Sequence, residues 1–135
     1  MSKIMRDEGI NGYGKAALVA VELCLSKNIN PVMAWRRATL SIFGDSAAQK
    51  KSAPKTTFLN LCKYGHVKGI NSGDYTNSDV TYNYVKKGIQ ILDDNKGKNF
   101  KAKELWEQVQ NKGLLNRYHM DVLLSLWENN LIKKK

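Results

Sequence analysis

The stretch from residue 54 to residue 70, PKTTFLNLCKYGHVKGI, constrains the fold more than any other part of the sequence. Pro54 suits the first turn of a helix, because its fixed φ is helical and the N–H that it lacks has no partner there. Phe58 and Leu61 follow at helical spacing, which predicts an apolar face. Gly65 then suits the left-handed conformation that ends many helices, so we expect its φ to be positive. The stretch therefore predicts a buried helix with a glycine exit.

Residues 54–92 resemble a family of small, uncharacterised bacterial proteins. In that family a proline opens an FLxLC helix, an exit ending in Gly-Ile follows, and a G-x-Y-T turn leads into another helix. The matching residues are Pro54, Phe58, Leu59, Leu61, Cys62, Gly65, Val67, Gly69, Ile70, Gly73, Tyr75 and Thr76. The family has no established activity, so the resemblance implies no functional residue.

Apolar residues at helical spacing recur along the rest of the chain. Asn30-Pro31 gives one of these segments a capping side chain followed by a proline at the first helical position. No stretch alternates as a half-exposed strand does, and no internal repeat is visible. The first predicted helix begins at residue 13 or 15 and ends near residue 26. The other predicted helices cover residues 31–43, 54–64, 79–93, 102–111 and 117–129. The sequence therefore predicts an all-α fold.

Length and composition favour one domain. A chain of 135 residues with 42% hydrophobic residues can bury one core but not two independent ones. We expect residues 1–14 to form a flexible arm, residues 15–70 an N-terminal helical half, and residues 71–135 a helix-turn-helix-like half. The prediction is a single compact helical domain over residues 1–135.

The C-terminal half has the order of helices found in winged-helix modules. The segment KELWEQV resembles the helix that braces such a module, and residues 118–135 resemble a recognition helix followed by the first strand of a wing. In that arrangement the third helix enters the major groove of DNA with side chains near its N-terminus. The candidates are Asn116, Arg117, Tyr118 and His119. A plain three-helix packing unit is the alternative interpretation.

The positive charge is concentrated in the first half of the chain. Lys and Arg number 22 against 12 Asp and Glu, a net charge of +10, which favours polyanionic partners. Between residues 36 and 68, seven basic residues meet a single acid, Asp45, and phosphate contacts need such unopposed density. With two candidates from the C-terminal half, the predicted nucleic-acid-binding residues are Arg36, Arg37, Lys50, Lys51, Lys55, Lys63, Lys68, Arg117 and His119.

These features favour non-enzymatic binding to nucleic acid, with DNA a better candidate than RNA. The alternative function is an accessory or inhibitory module that binds an acidic protein surface, and the same charge would also suit a surface that only keeps the protein soluble. Aromatic residues near the basic segment, such as Trp35 and Tyr64, could stack on bases, although aromatics at helical spacing are more often core. A homodimer is a further expectation that we keep open.

No sequence feature points to secretion or to a membrane. The N-terminal residues lack the pattern of a signal peptide, and the apolar run AALVAVELCL is too short to span a bilayer. Cys24 and Cys62 both lie in apolar helical patterns, so we expect buried, reduced thiols. The expected location is the cytoplasm.

Catalytic and metal-binding patterns are weak. Cys62 and His66 are four residues apart, the spacing of a thiolate–imidazole pair on one helix, but Gly65 should end the helix between them. The two cysteines and two histidines lack the spacing of zinc ligands. We therefore expect no enzyme activity, no metal and no cofactor.

Overall fold

The computed structural model describes residues 12–110, 112–115 and 117–133. In these residues the chain forms six α-helices, with a short 3₁₀ helix, Ala48–Lys50, between the second and the third. The α-helices are α1 Gly12–Lys27, α2 Pro31–Phe43, α3 Ser52–Lys63, α4 Tyr82–Asp94, α5 Ala102–Val109 and α6 His119–Glu128. The predicted all-α fold is confirmed. Of the predicted arm, residues 1–11 lie outside the described residues, and residues 12–14 belong to α1.

Helices α1 and α2 form a hairpin, and α1 also packs against α6. Ala16, Ala17 and Ala20 of α1 are fully buried, and such small side chains allow a close approach between helices. The Asn30 side chain accepts a hydrogen bond of 3.1 Å from the backbone N–H of Met33. The cap predicted for α2 is therefore confirmed.

Helix α3 lies at the centre of the molecule, where it contacts α2, α4 and α6. Phe58 and Leu61 have no exposed surface, as the apolar spacing predicts. The Trp35 ring of α2 stacks on Phe58 with their centroids 5.2 Å apart. The stretch that constrains the fold most strongly thus forms the central helix of the core.

The exits of α3 and α6 share one backbone geometry. Gly65 has a φ of 76°, which confirms the prediction, and the next residue, His66, donates its N–H to the Leu61 carbonyl at 2.9 Å. Asn130 occupies the same position after α6 with a φ of 60°, and Leu131 donates its N–H to Leu126 at 2.9 Å. Both exits are Schellman motifs, which satisfy the free carbonyls at a helix end.

The two exits then pair with each other. Val67 and Ile132, both fully buried, form an isolated antiparallel β-bridge. Lys68 donates its N–H to the Leu131 carbonyl, and Lys133 donates its N–H to the His66 carbonyl, each at 2.8 Å. The residues expected to begin a wing therefore pair with the end of α3. This correspondence between the two exits was not visible as a sequence repeat.

Helix α6, predicted as the recognition helix, is buried over most of its length. Its buried side chains are His119, Met120, Val122, Leu123, Leu124, Ser125 and Leu126. Gly88 of α4 permits close packing here, because a Cβ at that position would lie 2.7 Å from the Leu123 Cδ2 atom. The Ser125 hydroxyl donates a hydrogen bond to the Gly14 carbonyl of α1 at 2.8 Å. Helix α6 is thus a core helix between the two halves.

Two helices begin later than the sequence predicted. Helix α6 begins at His119 rather than at residue 117, because Tyr118 has a left-handed φ of 75°. Helix α4 begins at Tyr82 rather than at residue 79. The buried Asn60 amide of α3 donates a hydrogen bond to the Ser78 carbonyl at 3.0 Å and so holds the approach to α4 outside the helix.

Candidate functional site

A groove of about 380 Å³ lies where the start of α3 meets the loop before α6. We call it the basic groove, and its lining residues are Lys51, Ser52, Ala53, Leu115, Arg117 and Tyr118. Lys51 belongs to the basic segment 36–68 and Arg117 to the predicted recognition segment. The fold therefore brings together cations that the sequence placed on two separate candidate surfaces.

Aromatic packing supports the Tyr118 wall of the groove. The Tyr118 ring lies against the Tyr13 ring of α1, with centroids 4.6 Å apart. Tyr13 also contacts Phe43 at 4.6 Å, and its hydroxyl donates a hydrogen bond to the Ala48 carbonyl at 2.8 Å. A non-glycine residue at positive φ is strained, so this packing must hold Tyr118 in place.

Hydrogen bonds hold the backbone at Leu114, next to Leu115 of the groove. The Trp106 indole donates a hydrogen bond to the Leu114 carbonyl at 2.7 Å, and the Gln110 side-chain oxygen Oε1 accepts one from the Leu114 N–H at 3.1 Å. The Leu115 side chain nevertheless reaches solvent, since the exposed fraction of this residue is 73%. The backbone is thus held at Leu114, and the side chain of the next residue, Leu115, is an exposed apolar group.

The electrostatic character of the groove is positive. Lys51 is the N-cap residue of α3 and its side chain makes no capping hydrogen bond, so the partial positive charge of the helix start adds to the two cations. Among the described residues, neither Lys51 nor Arg117 forms an ion pair. The groove can therefore accept an anion without first breaking an internal salt bridge.

Asp45 neutralises part of the adjoining basic surface. Its carboxylate lies 3.0 Å from the Lys50 Nζ atom. The hydrogen bond from Lys50, followed by the charges of Lys50 and Arg36, lowers the pKa of Asp45 below its ordinary value. Arg37 and Lys55 are exposed and form no ion pair with another described residue, but neither of them lines the groove.

Lys63 lies at the opposite end of α3, where acids and carbonyls surround it. Its Nζ atom donates a hydrogen bond to the Thr76 carbonyl at 2.9 Å and lies 3.6 Å from the Asp79 carboxylate. Asp74 is 4.0 Å away, and the Lys63 side chain is only 21% exposed. Lys63, a predicted phosphate contact, therefore has partners within the protein.

The neighbouring side chains at that end of α3 also contact one another, although Tyr64 is 41% exposed. The Tyr64 and Tyr82 rings stack with centroids 3.9 Å apart, and the Tyr64 hydroxyl donates a hydrogen bond to Asp79 at 3.0 Å. The Lys68 ammonium donates a hydrogen bond to the Asn130 side-chain oxygen Oδ1 at 3.0 Å. Lys63 and Lys68 thus lie apart from Lys51, with helix α3 between them and the groove.

His119 lies behind the basic groove rather than on its surface. Its exposed fraction is 6%, and its ring stacks on Trp106 with centroids 4.7 Å apart. The Nδ1 atom accepts a hydrogen bond from the Arg117 N–H at 3.4 Å. Burial, and then the charge of Arg117, lower the pKa of His119 to about 4. The neutral imidazole therefore positions the Arg117 backbone and is not placed to touch a partner. Asn116 lies outside the described residues.

The Cys62–His66 arrangement offers no activated thiol. Burial raises the pKa of Cys62 far above its ordinary value and the pKa of Cys24 to about 11. His66 lies beyond the end of α3, where its Nε2 atom is 2.9 Å from the Tyr82 hydroxyl. Among the described residues, no group of three potential ligands could hold a metal ion. In the same part of the chain, no helix is long and apolar enough to cross a membrane.

Sequence reasoning missed the apolar side of the groove. Leu115 follows Leu114 in a loop after Gly113, outside any helical pattern. Two leucines without a helical or strand period are the signal that could have marked an exposed apolar site. Tyr118 was expected to face a DNA groove from a helix, whereas it precedes the helix and lines a groove of the protein.

Comparison with known proteins places the chain in a family. Neither a curated protein nor a solved structure matches it. A family model described as a family of unknown function (DUF6979) matches residues 10–133. The match includes both halves of the chain and all residues of the basic groove. It confirms the assignment to an uncharacterised family that the resemblance of residues 54–92 implied: the chain belongs to DUF6979, a family of unknown function.

Proposed function

We propose that the protein is a non-enzymatic nucleic-acid-binding protein that holds phosphates at the basic groove. One observation supports this function above all: Lys51 and Arg117, from different halves of the chain, line the same groove. Neither cation has an acidic partner among the described residues. A cation with an internal acidic partner is already neutralised, whereas unpaired cations in a concave site suit a polyanion.

The overall charge adds a general attraction to this local site. A net charge of +10 raises the local concentration of a polyanion and the rate of its association. Arg37 and Lys55 are exposed and would supply further contacts outside the groove. We do not include Lys63, Lys68 or His119 among the phosphate contacts, because their side chains are engaged or buried.

The proposed contact does not use a winged-helix mode of docking. A recognition helix must present side chains to the major groove, and most of α6 is buried against α1, α3, α4 and α5. The winged-helix-like topology of residues 71–135 stays a prediction, as do the preference for DNA over RNA, the homodimer and the cytoplasmic location.

A charge-reversal experiment tests the proposal. We expect K51E/R117E to abolish retention of random-sequence DNA and RNA in gels at low salt. The matched control is K87E/K103E, which changes the net charge equally at exposed lysines outside the groove. The control should retain most of the binding, and helical content should not change in either variant. Equal loss in both double variants would mean that only the net charge matters and would contradict the proposed site.

The exposed Leu115 favours a second candidate function. An apolar side chain beside two cations also suits an acidic peptide with hydrophobic residues, as an accessory or inhibitory module would bind. Counterion release distinguishes the two functions, because the logarithm of the binding constant for a nucleic acid falls steeply and linearly with the logarithm of the salt concentration. If the parent protein retains neither DNA nor RNA at low salt, the protein-interaction function becomes the better hypothesis.

A further inference from the structure

The basic groove has an apolar and aromatic side that phosphate binding alone does not explain. Tyr118 and Leu115 line it together with Lys51 and Arg117. Leu115 is 73% exposed and Tyr118 is 37% exposed. A site for the backbone of a double helix needs cations and polar donors, because only phosphates and sugars reach it. Exposed apolar and aromatic surface beside the cations matches a ligand whose bases are unpaired.

The volume of the groove agrees with a ligand segment of one or two nucleotides. Its volume of about 380 Å³ falls in the range of roughly 300–1,000 Å³ that holds small ligands. Duplex DNA is instead read by an element that protrudes into a major groove about 12 Å wide. The helix predicted to do so, α6, is buried. The concave site therefore suits an extended single strand better than a double helix.

The backbone at Tyr118 gives an independent indication. Its φ of 75° is unusual for a non-glycine residue, and strained residues of this kind gather at binding sites. Glycine would adopt this conformation without strain, yet the chain has an aromatic residue here. The ring rests on Tyr13 at 4.6 Å, so its position at the groove is fixed before any ligand binds.

From these observations we infer that the basic groove binds single-stranded nucleic acid, with phosphates on Lys51 and Arg117 and a base against Tyr118 and Leu115. This inference rests on the proposed function and specifies its ligand. Base–aromatic stacking tolerates any base, so binding should depend little on sequence. It requires the base to be unpaired, so a duplex of the same sequence should bind more weakly.

Titrations with three probes test the inference: a mixed-sequence single-stranded DNA of 12 nucleotides, the RNA of the same sequence, and the corresponding DNA duplex. We expect at least one single strand to bind about tenfold more tightly than the duplex. Tyr118→Gly, which suits the backbone, should weaken binding of that strand about 5- to 150-fold, the range expected for one lost stacking contact. Tyr118→Phe, which keeps the ring, should bind like the parent protein.

Leu115→Ala gives a second test that does not depend on the packing of Tyr118. It should weaken single-strand binding, whereas Leu114→Ala, at a neighbour that does not line the groove, should not. Equal affinity for duplex and single strands, with no effect of Tyr118→Gly or Leu115→Ala, would overturn the inference while the proposed function stands. Absence of binding to all three probes at low salt would overturn the proposed function itself.

Discussion

The two ends of helix α3 carry similar cations in opposite environments. At its C-terminal end, Lys63 lies among Thr76, Asp79 and Asp74, and the chain exit pairs with the exit of α6. At its N-terminal end, Lys51 lines an open groove and forms no ion pair with another described residue. The same residue type thus has intramolecular partners at one end and no ion-pair partner among the described residues at the other. Charge density along the sequence does not distinguish these roles.

The largest effect should come from the core at the C-terminal end of α3. Leu61 is fully buried, and its carbonyl accepts the hydrogen bond that closes the exit of α3. We expect Leu61→Ala to lower the free energy of unfolding by about 2–5 kcal/mol, through lost transfer energy and the cavity left behind. Urea denaturation measures this loss. Ser52→Ala at the N-terminal end of α3 is the control and should change stability by less than about 0.5 kcal/mol. A small loss for Leu61→Ala would show that this end of α3 is not central to the core.

Acid should weaken the protein through the histidine behind the groove. The pKa of His119 is lowered to about 4, below the ordinary 6.5. Between these two pH values the unfolded chain therefore binds more protons than the folded chain. The contribution of His119 to the free energy of unfolding should be fully present above about pH 6.5 and should fall as the pH is lowered toward 4. The loss is at most roughly 3–4 kcal/mol, at about 1.4 kcal/mol per pKa unit. Burial also lowers the pKa of His66, so its protonation should reduce stability in the same direction.

Denaturant melts at pH 7 and pH 4.5 measure this dependence. His119→Phe keeps a ring against Trp106 and removes the titrating group, so its stability should change less with pH than that of the parent protein. If His119→Phe and the parent protein lose equal stability between the two pH values, the imidazole is not the group responsible.

A smaller effect should come from the backbone of the α3 exit. Gly65 has a φ of 76°, and a Cβ there would meet only the Ser72 Cβ at an ordinary 3.7 Å. Gly65→Ala should therefore lose more than about 1 kcal/mol through strain alone, not through a clash. Gly65→Asn should lose less, because asparagine tolerates this conformation and Asn130 adopts it at the matching exit of α6. Equal losses for the two variants in thermal melts would contradict this explanation.

The sequence predicted the features that depend on local chemistry. Asn30 and Pro31 mark the start of α2, and Gly65 marks the exit of α3, because each satisfies a backbone requirement within a few residues. The burial of Phe58 and Leu61 follows from helical spacing. These predictions needed no knowledge of how the helices pack.

The features of the candidate site depend on contacts between distant residues and could not be predicted in this way. Lys63 donates a hydrogen bond to Thr76, and Lys51 and Arg117 line the same groove, across 13 and 66 positions of sequence. Tyr118 was expected in a helix because its neighbours have helical spacing, but its packing on Tyr13 accompanies a left-handed backbone. Tertiary packing overrides local preference at this position.

The salt dependence of single-strand binding in two matched variants tests the contrast between the ends of α3 most directly. Lys51→Met and Lys63→Met each remove one charge from α3 or its cap and keep a similar stem. For Lys51→Met, we expect the slope of log K against log salt concentration to fall by about 0.7, the contribution of one phosphate contact on a single strand. Lys63→Met should leave that slope unchanged and instead lower stability by about 1 kcal/mol, the worth of its hydrogen bond. A lower slope for Lys63→Met with an unchanged slope for Lys51→Met would contradict the account.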